Sequence, residues 1–446
     1  MNIGKSLKFL FITFLTMILF VKGIYLMEVV PLFVAVCGIM GIFITTISLI
    51  FYKDKMYAVL SKIEKQIDKI SYRNMLLLAS LFSLLTKLGA IFLLDIQSIN
   101  AHSDILCYVV TAKEIANTGI AEQYAGYCYN FSHMYWFAMF LSPIVKLFGT
   151  SQRVLSIFMA IVSMISTILL FDTAAKIFCK KRAFIFAMFY ILLPSSIIIP
   201  QYITHEHALL FYISLALWIY SRILLLVGET LKRAILFLLF AVSLFLGFEM
   251  NIAGLIMSIA FIIVSFISEN KEFKYKEIII LLLIFLAGVS CFKLYQLEHS
   301  TLKSSYIPGD KLVWTLYVGS NADTNAHWSA EDVERYDNFD ANLSNEEILQ
   351  YRVTLLKNRY KALFSNPLKL LQLIRGKLVT IWSTFTYPIM YTSETISKTN
   401  LQQIYNSGVS KMFVFIEYAL SVFGVAFGII SNWCWKSENI LNCIYY

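Results

Sequence analysis

The chain has 446 residues and a formal net charge of +9; 59% are hydrophobic, only 15% are charged, and mean hydropathy is +0.70. Soluble domains carry about 25% charged residues, so a soluble globular protein is excluded, and the surplus of Lys and Arg reads as membrane sidedness rather than nucleic-acid binding. Seven cysteines do not build the disulfide framework of a small secreted protein.

A hydrocarbon core about 30 Å thick takes roughly 20 apolar residues per helix. Runs of that kind recur at 7–26, 30–51, 75–94, 154–175, 183–203, 207–227, 234–249, 251–268, 278–297 and 410–431. They are far too long for barrel strands, so the expected fold is all-α, a polytopic helical membrane protein with about 10 transmembrane helices and two extracytoplasmic loop regions. The first run follows Lys5 and Lys8 but lacks an A-x-A cleavage site and leads straight into the second, so it reads as a retained anchor. Residues 1–74 then form an N-terminal hairpin with its cytoplasmic loop, 75–297 a transmembrane core, 298–409 an extracytoplasmic segment, and 410–446 a last span and short tail.

Positive charge sorts by side. Lys53, Lys55, Lys62, Lys65, Lys69 and Arg73 fill the 52–74 loop; Lys176, Lys180, Lys181 and Arg182 mark the next inner turn. Arg222, Lys232 and Arg233, then Lys271, Lys274 and Lys276, mark two more, whereas the turns at 27–29, 204–206 and 249–251 hold no Lys or Arg. The positive-inside rule places the N-terminus in the cytoplasm of a cell (plasma or inner) membrane. The alternation survives only if 131–149 does not cross, so that segment is expected to lie along the outer face. Ile63, Ile67 and Ile70 at helical spacing among lysines suggest a helix on the inner surface, a solvated linker being the alternative.

On this topology the loop 95–153 is extracytoplasmic, as are all six histidines: His102, His133, His205, His207, His299 and His327. Lys87 falls mid-span, where it must snorkel or pair inside the bundle. Cys107 and Cys128 share the outer loop, as a pair or as free buried thiols. Farther on, the apolar pattern breaks at 298. Ser344-Asn-Glu-Glu347 is a capping box for a helix through about Phe364, and Asn366-Pro367 opens another, read as interfacial rather than spanning.

No Walker loop, G-x-G-x-x-G turn, H-E-x-x-H or G-x-S-x-G is present. An enzyme built this way uses substrates found at the outer face, where lipid-linked molecules are available and nucleotides are scarce. The outer loop carries Ser103-Asp104 with Tyr108, then Ala112, Ile115 and Gly119. Asn130-Phe-Ser-His133 follows, and Lys146-Leu-Phe-Gly149 ends the next helix. Pro194-Ser195 and Thr204-His205-Glu206 come next, then Gly319-Ser-Asn321 and Trp328-Ser-Ala-Glu331-Asp332.

In order and placement these elements, spanning roughly residues 75–390, resemble the GT-C glycosyltransferases, in the bacterial branch similar to protein O-mannosyltransferases and the lipid A aminoarabinose transferase. The pattern departs at Ser132, where Pro is common, at His327, where Gly is common, and at Met250-Asn251, where a basic residue is frequent. The resemblance implies an inverting transfer of a hexosyl or pentosyl unit from a polyprenyl-phosphate carrier to an acceptor hydroxyl on a surface polysaccharide, lipid or protein. Asp104 matches the catalytic base; its alternative is a helix cap. Asp95 is the second candidate and reads more simply as a boundary residue. His102, His133 and Glu206 are expected beside the acceptor or behind the residues that touch it, His133 either orienting the acceptor or helping to bind phosphate, with packed interfacial side chains as the alternative. The departing phosphate needs fixed positive charge, for which Lys146, Arg153, Arg375 and Lys377 are candidates, interfacial anchoring being the other reading of each. No cofactor is demanded and a divalent cation stays open, although His205-x-His207 is a poor metal pair because alternate helical residues point apart. The rival expectations are a transporter or flippase for lipid-linked oligosaccharide, which should show repeats or broken helices, and a polysaccharide polymerase.

Overall fold

The computed structural model describes residues 62–99, 103–177, 179–226, 230–251, 253–267, 276–299, 310–326, 328–340 and 342–382. The expected spans 7–26, 30–51 and 410–431, together with His102 and His327, lie outside the described residues. Among the described residues the chain is helical, and no strand forms. Four helices are long and apolar enough to cross a membrane, or five if a bent pair counts as one span. The chain is therefore a helical membrane protein; the expected ten spans are not reached among the described residues.

In chain order the bundle comprises α1 (Tyr72–Leu94), α2 (Ser103–Thr118), α3 (Ala125–Asn130), α4 (Ser132–Phe148), α5 (Gln152–Ile177), α6 (Lys180–Leu192), α7 (Pro194–Ile198), α8 (Glu206–Ile223), α9 (Thr230–Met250), α10 (Ala253–Ile267) and α11 (Lys276–Glu298). The α1 helix shows why these segments suit lipid. Its buried face reads Met75, Ala79, Ser83, Lys87, Ala90, Ile91, while Leu77, Leu81, Leu85, Phe92 and Leu93 point out. Small and polar residues inside with large apolar residues outside is the arrangement of a helix solvated by hydrocarbon, where close backbone approach and hydrogen bonds drive association. The same inversion recurs in α5, which buries Ser156, Ser163, Ser166, Thr167 and Asp172. Lys87 does not snorkel. Fully buried, its amine bonds the Ser83 hydroxyl one turn back at 2.7 Å.

Two polar knots pin the bundle at opposite ends. At the Tyr72 end, the buried Asp172 carboxylate of α5 accepts from the Tyr72 hydroxyl of α1 and from Arg222 of α8. It also accepts from Trp218 Nε1 at 2.6 Å, with Lys176 at 3.8 Å. At the other end Gln152 donates to the Gln201 carbonyl at 2.8 Å, and its Oε1 accepts from the Ile99 amide at 3.0 Å and the Ser98 hydroxyl at 3.1 Å. Between the knots α1 packs on α5 and α6, and α8 packs on α5 and α9.

The expected span 183–203 is broken: α6 and the α7 segment meet at 68°, where Pro194 restarts the chain as a helical N1 residue. The lysine-rich 62–71 segment is neither a free linker nor held by its lysines. Ile67 is buried with Phe171 and Phe184, and Glu64 and Asp68 pair with Arg182 and Lys181 at 3.3 and 2.5 Å.

Helix α4 packs across the bundle end instead of traversing it. Its first turn carries His133, whose ring centroid lies 4.5 Å from that of His205. Three residues past its C-terminal Gly149, Gln152 bonds Gln201. Both ends of α4 thus meet the same turn, 199–206, as expected of a helix lying along one face. The motif glycines have a backbone role here. Gly119 and Gly149 have φ of 78° and 82° and close α2 and α4, a left-handed geometry that side chains resist.

Residues 310–382 form a separate helical cluster of α12 (Asp310–Gly319), α13 (Ala330–Asp337), α14 (Asn345–Phe364) and α15 (Pro367–Trp382). Ser344 and Glu347 make the expected capping box for α14, and Asn366 Oδ1 accepts from the Leu368 and Lys369 amides at 3.1 and 3.2 Å to start α15. The Asn321 and Asp332 motif is the clamp of this cluster. Asp332 accepts from Asn321 at 2.8 Å and from Arg359 of α14 at 2.6 Å, while the Arg359 guanidinium stacks 3.7 Å from the Tyr317 ring.

Candidate functional site

Asp104 is the second residue of α2, inside the first turn and not at the cap before it. Its Oδ1 accepts a hydrogen bond from the Tyr127 hydroxyl at 3.0 Å, twenty-three residues away on α3. Tyr108 stands one turn further along α2, on the same face as Asp104 because residues four apart are neighbours on a helix. The hydroxyl of this buried tyrosine lies 2.8 Å from His205 Nδ1. From Tyr127 a run of rings leads back to the same histidine: Tyr127 to Phe131 at 4.8 Å, Phe131 to His133 at 6.1 Å, His133 to His205 at 4.5 Å. Asp104, Tyr127, Phe131, His133, His205 and Tyr108 therefore close a ring of contacts. Glu206, the first residue of α8, adds a second carboxylate 3.5 Å from His205 Nε2, and Asn251 Nδ2 lies 3.1 Å from the same nitrogen.

Two of the three acceptor-side residues expected with Asp104, His133 and Glu206, are thus brought to it; His102 is outside the described residues. Two of the basic candidates, Lys146 and Arg153, are placed elsewhere. Lys146 is in the last turn of α4, thirteen residues beyond His133, or about 20 Å at 1.5 Å per residue. Arg153 pairs with Asp95 at 3.2 Å. Asp95 itself closes α1 with a φ of 45°, a boundary role. Arg375 and Lys377 ride on α15, where the Lys377 amine packs beside Gly319.

Among the described residues no three His, Cys, Asp or Glu side chains gather in a way that could hold a metal ion. The His205-x-His207 geometry shows the reason. His205 faces Tyr108 and Asn251, whereas the buried His207 turns to the Ile199 carbonyl at 3.1 Å. Cys107 and Cys128 are free and buried. Burial pushes their thiols up, to about 12 and about 11, and the resulting thiol forms are poor nucleophiles.

Sequence reasoning missed Tyr127 and the function of Asn251. Tyr108 carried a signal that was there to be used, its i+4 spacing from Asp104. Tyr127 and Asn251 carried none, since their partners lie 23 and 46 residues away. Comparison of the chain with protein-family models, with curated proteins and with solved structures finds no match.

Proposed function

We propose that the chain is a membrane glycosyltransferase, moving a sugar from a polyprenyl-phosphate carrier to an acceptor hydroxyl, with Asp104 as general base. The observation that supports this reading is the Asp104 carboxylate, one oxygen held by Tyr127, in a ring of His133, His205 and Tyr108 at one end of an apolar bundle. The acceptor hydroxyl would meet this carboxylate. In the reaction the acceptor O–H gives its proton to Asp104 as the oxygen attacks the anomeric carbon. The carbon–oxygen bond to phosphate breaks, polyprenyl phosphate leaves with the bonding pair, and the anomeric centre inverts. General base catalysis contributes about 10²–10⁴-fold to such a step.

The alternation of basic loops supports a topology with this end outside the cell membrane and the N-terminus inside. The acceptor is a surface glycan, lipid or protein.

The test is transfer from radiolabelled polyprenyl-phosphate sugars in reconstituted vesicles, wild type against Asp104→Asn. Loss of at least a hundredfold is expected. Undiminished transfer by the variant would remove Asp104 as base, and lipid translocation with no transfer would make the chain a flippase.

A further inference from the structure

The hydrogen-bond directions around His205 can be read from one backbone contact. Asn251 Oδ1 accepts from the Ala253 amide at 3.0 Å. An amide N–H cannot face an NH2 group, so this contact fixes the side-chain amide with Nδ2 toward His205. Nδ2 then donates to His205 Nε2 at 3.1 Å, and Nε2 must present its lone pair. Glu206 Oε1, 3.5 Å from that nitrogen, is beyond good hydrogen-bond range and competes poorly. The third neighbour, His133, packs on the ring at a tilt, with centroids 4.5 Å apart and planes at 41°. Neutral His205 therefore carries its proton on Nδ1 and donates it to the Tyr108 oxygen at 2.8 Å.

This leaves the Tyr108 proton without a recipient among the described residues. Tyr108 is 2% exposed, and a buried O–H left unused costs about 1–3 kcal/mol. It sits one turn from Asp104, on the reacting side of the ring of contacts. Chained donors polarise one another, so a hydroxyl that accepts from an imidazole N–H is itself a stronger donor.

Resting on the donor-phosphate reading above, we propose that Tyr108 donates this proton in a hydrogen bond to an anionic phosphate oxygen of the lipid-linked ligand. The Asn251–His205 pair sets its direction. Phosphate recognition at this site then includes an aimed neutral donor.

The experiment measures binding of polyprenyl monophosphate, with the phosphate-free polyprenol as control, to the full chain in lipid nanodiscs. Tyr108→Phe keeps the ring and removes the donor; binding of the phosphate should weaken by about tenfold or more, the value of a hydrogen bond to a charged group, with polyprenol unaffected. Asn251→Asp is close in shape but accepts where Asn251 donates. It moves the His205 proton to Nε2, turns the Tyr108 proton onto Nδ1, and should weaken binding similarly. Because the new charge alone could repel phosphate, the double variant decides: it should bind no more weakly than Tyr108→Phe. Additive losses overturn the relay through His205. Unchanged binding by Tyr108→Phe overturns the Tyr108 assignment and leaves the glycosyltransferase reading standing. Wild type that does not distinguish the phosphate from polyprenol overturns the donor-phosphate reading itself. Should Tyr108→Phe fail to fold, Asn251→Ala, which removes the directing amide without adding charge, carries the test: weaker phosphate binding is expected, and unchanged binding overturns the proposal.

Discussion

Asp172→Ala should loosen the end of the bundle opposite the candidate site while leaving that site intact. The wild-type carboxylate, its side chain 10% exposed, joins Tyr72 of α1, Trp218 and Arg222 of α8, and Lys176 one turn on in α5. Its removal strands the Arg222 guanidinium, which among the described residues keeps the Trp218 ring at 4.8 Å, and orphans two neutral donors. Removing half of a fully buried pair costs about 3–5 kcal/mol, but Arg222 is 32% exposed and solvent takes up part of its charge. Hydrogen bonds between membrane helices average about 0.6 kcal/mol. A screened ionic loss of about 1–2 kcal/mol plus two such bonds gives roughly 2–3 kcal/mol. The assay is SDS-driven unfolding in mixed micelles, in a double-mutant cycle with Arg222→Met, whose coupling should be about 1–2 kcal/mol. Polyprenyl-phosphate binding by the folded variant should be unchanged. A destabilisation below about 0.5 kcal/mol, or no coupling to Arg222, would refute the knot as the clamp of α1, α5 and α8.

Tyr127→Phe should slow transfer by about 10–100-fold, the worth of one hydrogen bond to a charged carboxylate, with little change in phosphate affinity; parallel losses in both would mean that Tyr127 serves packing alone. In the 310–382 cluster, burial opposes ionisation of Asp332, but the hydrogen bonds from Arg359 and Asn321 outweigh it and hold the carboxyl below its ordinary value of 3.8. A depressed folded value means stability that is present above about pH 4 and drains away as pH falls through the lower value. Limited proteolysis of the full chain should therefore nick this cluster increasingly below pH 4, and Asp332→Asn should be nicked already at pH 7 with a flatter pH response. With the other cysteines replaced, maleimide should leave Cys107 and Cys128 unmodified in the folded chain and label both in SDS; rapid labelling of folded protein would contradict their burial.

What was legible in the sequence follows from the range of the interactions. Capping of α14 by Ser344 and Glu347 involves residues three apart, and the start of α15 at Asn366-Pro367 is equally local. Both could be read directly. The expectation that 131–149 does not cross came from a different kind of signal: basic residues count membrane crossings, and one more crossing would have inverted them. The break at Pro194 is a one-residue signal inside an apolar run, and hydropathy averaged over a span hides it. The acidic docking of Glu64 and Asp68 onto Arg182 and Lys181 was masked by the more numerous lysines around them. At the site, Asp104, His133 and Glu206 stood out as polar residues at apolar helix ends. Their connecting groups did not, because tyrosine and asparagine are unremarkable in such loops and the bonds span 23 to 97 residues.

That distinction in range also bears on what Asp104 and Glu206 do. An acid in the first turn of a helix is stabilised by the helix dipole wherever it occurs, so position alone gives both carboxylates a sufficient structural reason to exist. A dipole or cap interaction is satisfied within the acid's own helix. Asp104 is bonded from another helix by Tyr127, and the face it shares with Tyr108 is bonded to the start of α8 through His205. Helix stability asks for none of these distant bonds. They fix where one carboxylate oxygen and one hydroxyl point relative to each other, as a reaction between a hydroxyl and a phosphate-linked sugar demands and as a helix terminus does not. Glu206, bound by contact with its own neighbour His205, carries no such distant constraint. Under the proposed transfer, these contacts are the reason for assigning the base to Asp104 and not to Glu206, which stands as the charge beside the histidine.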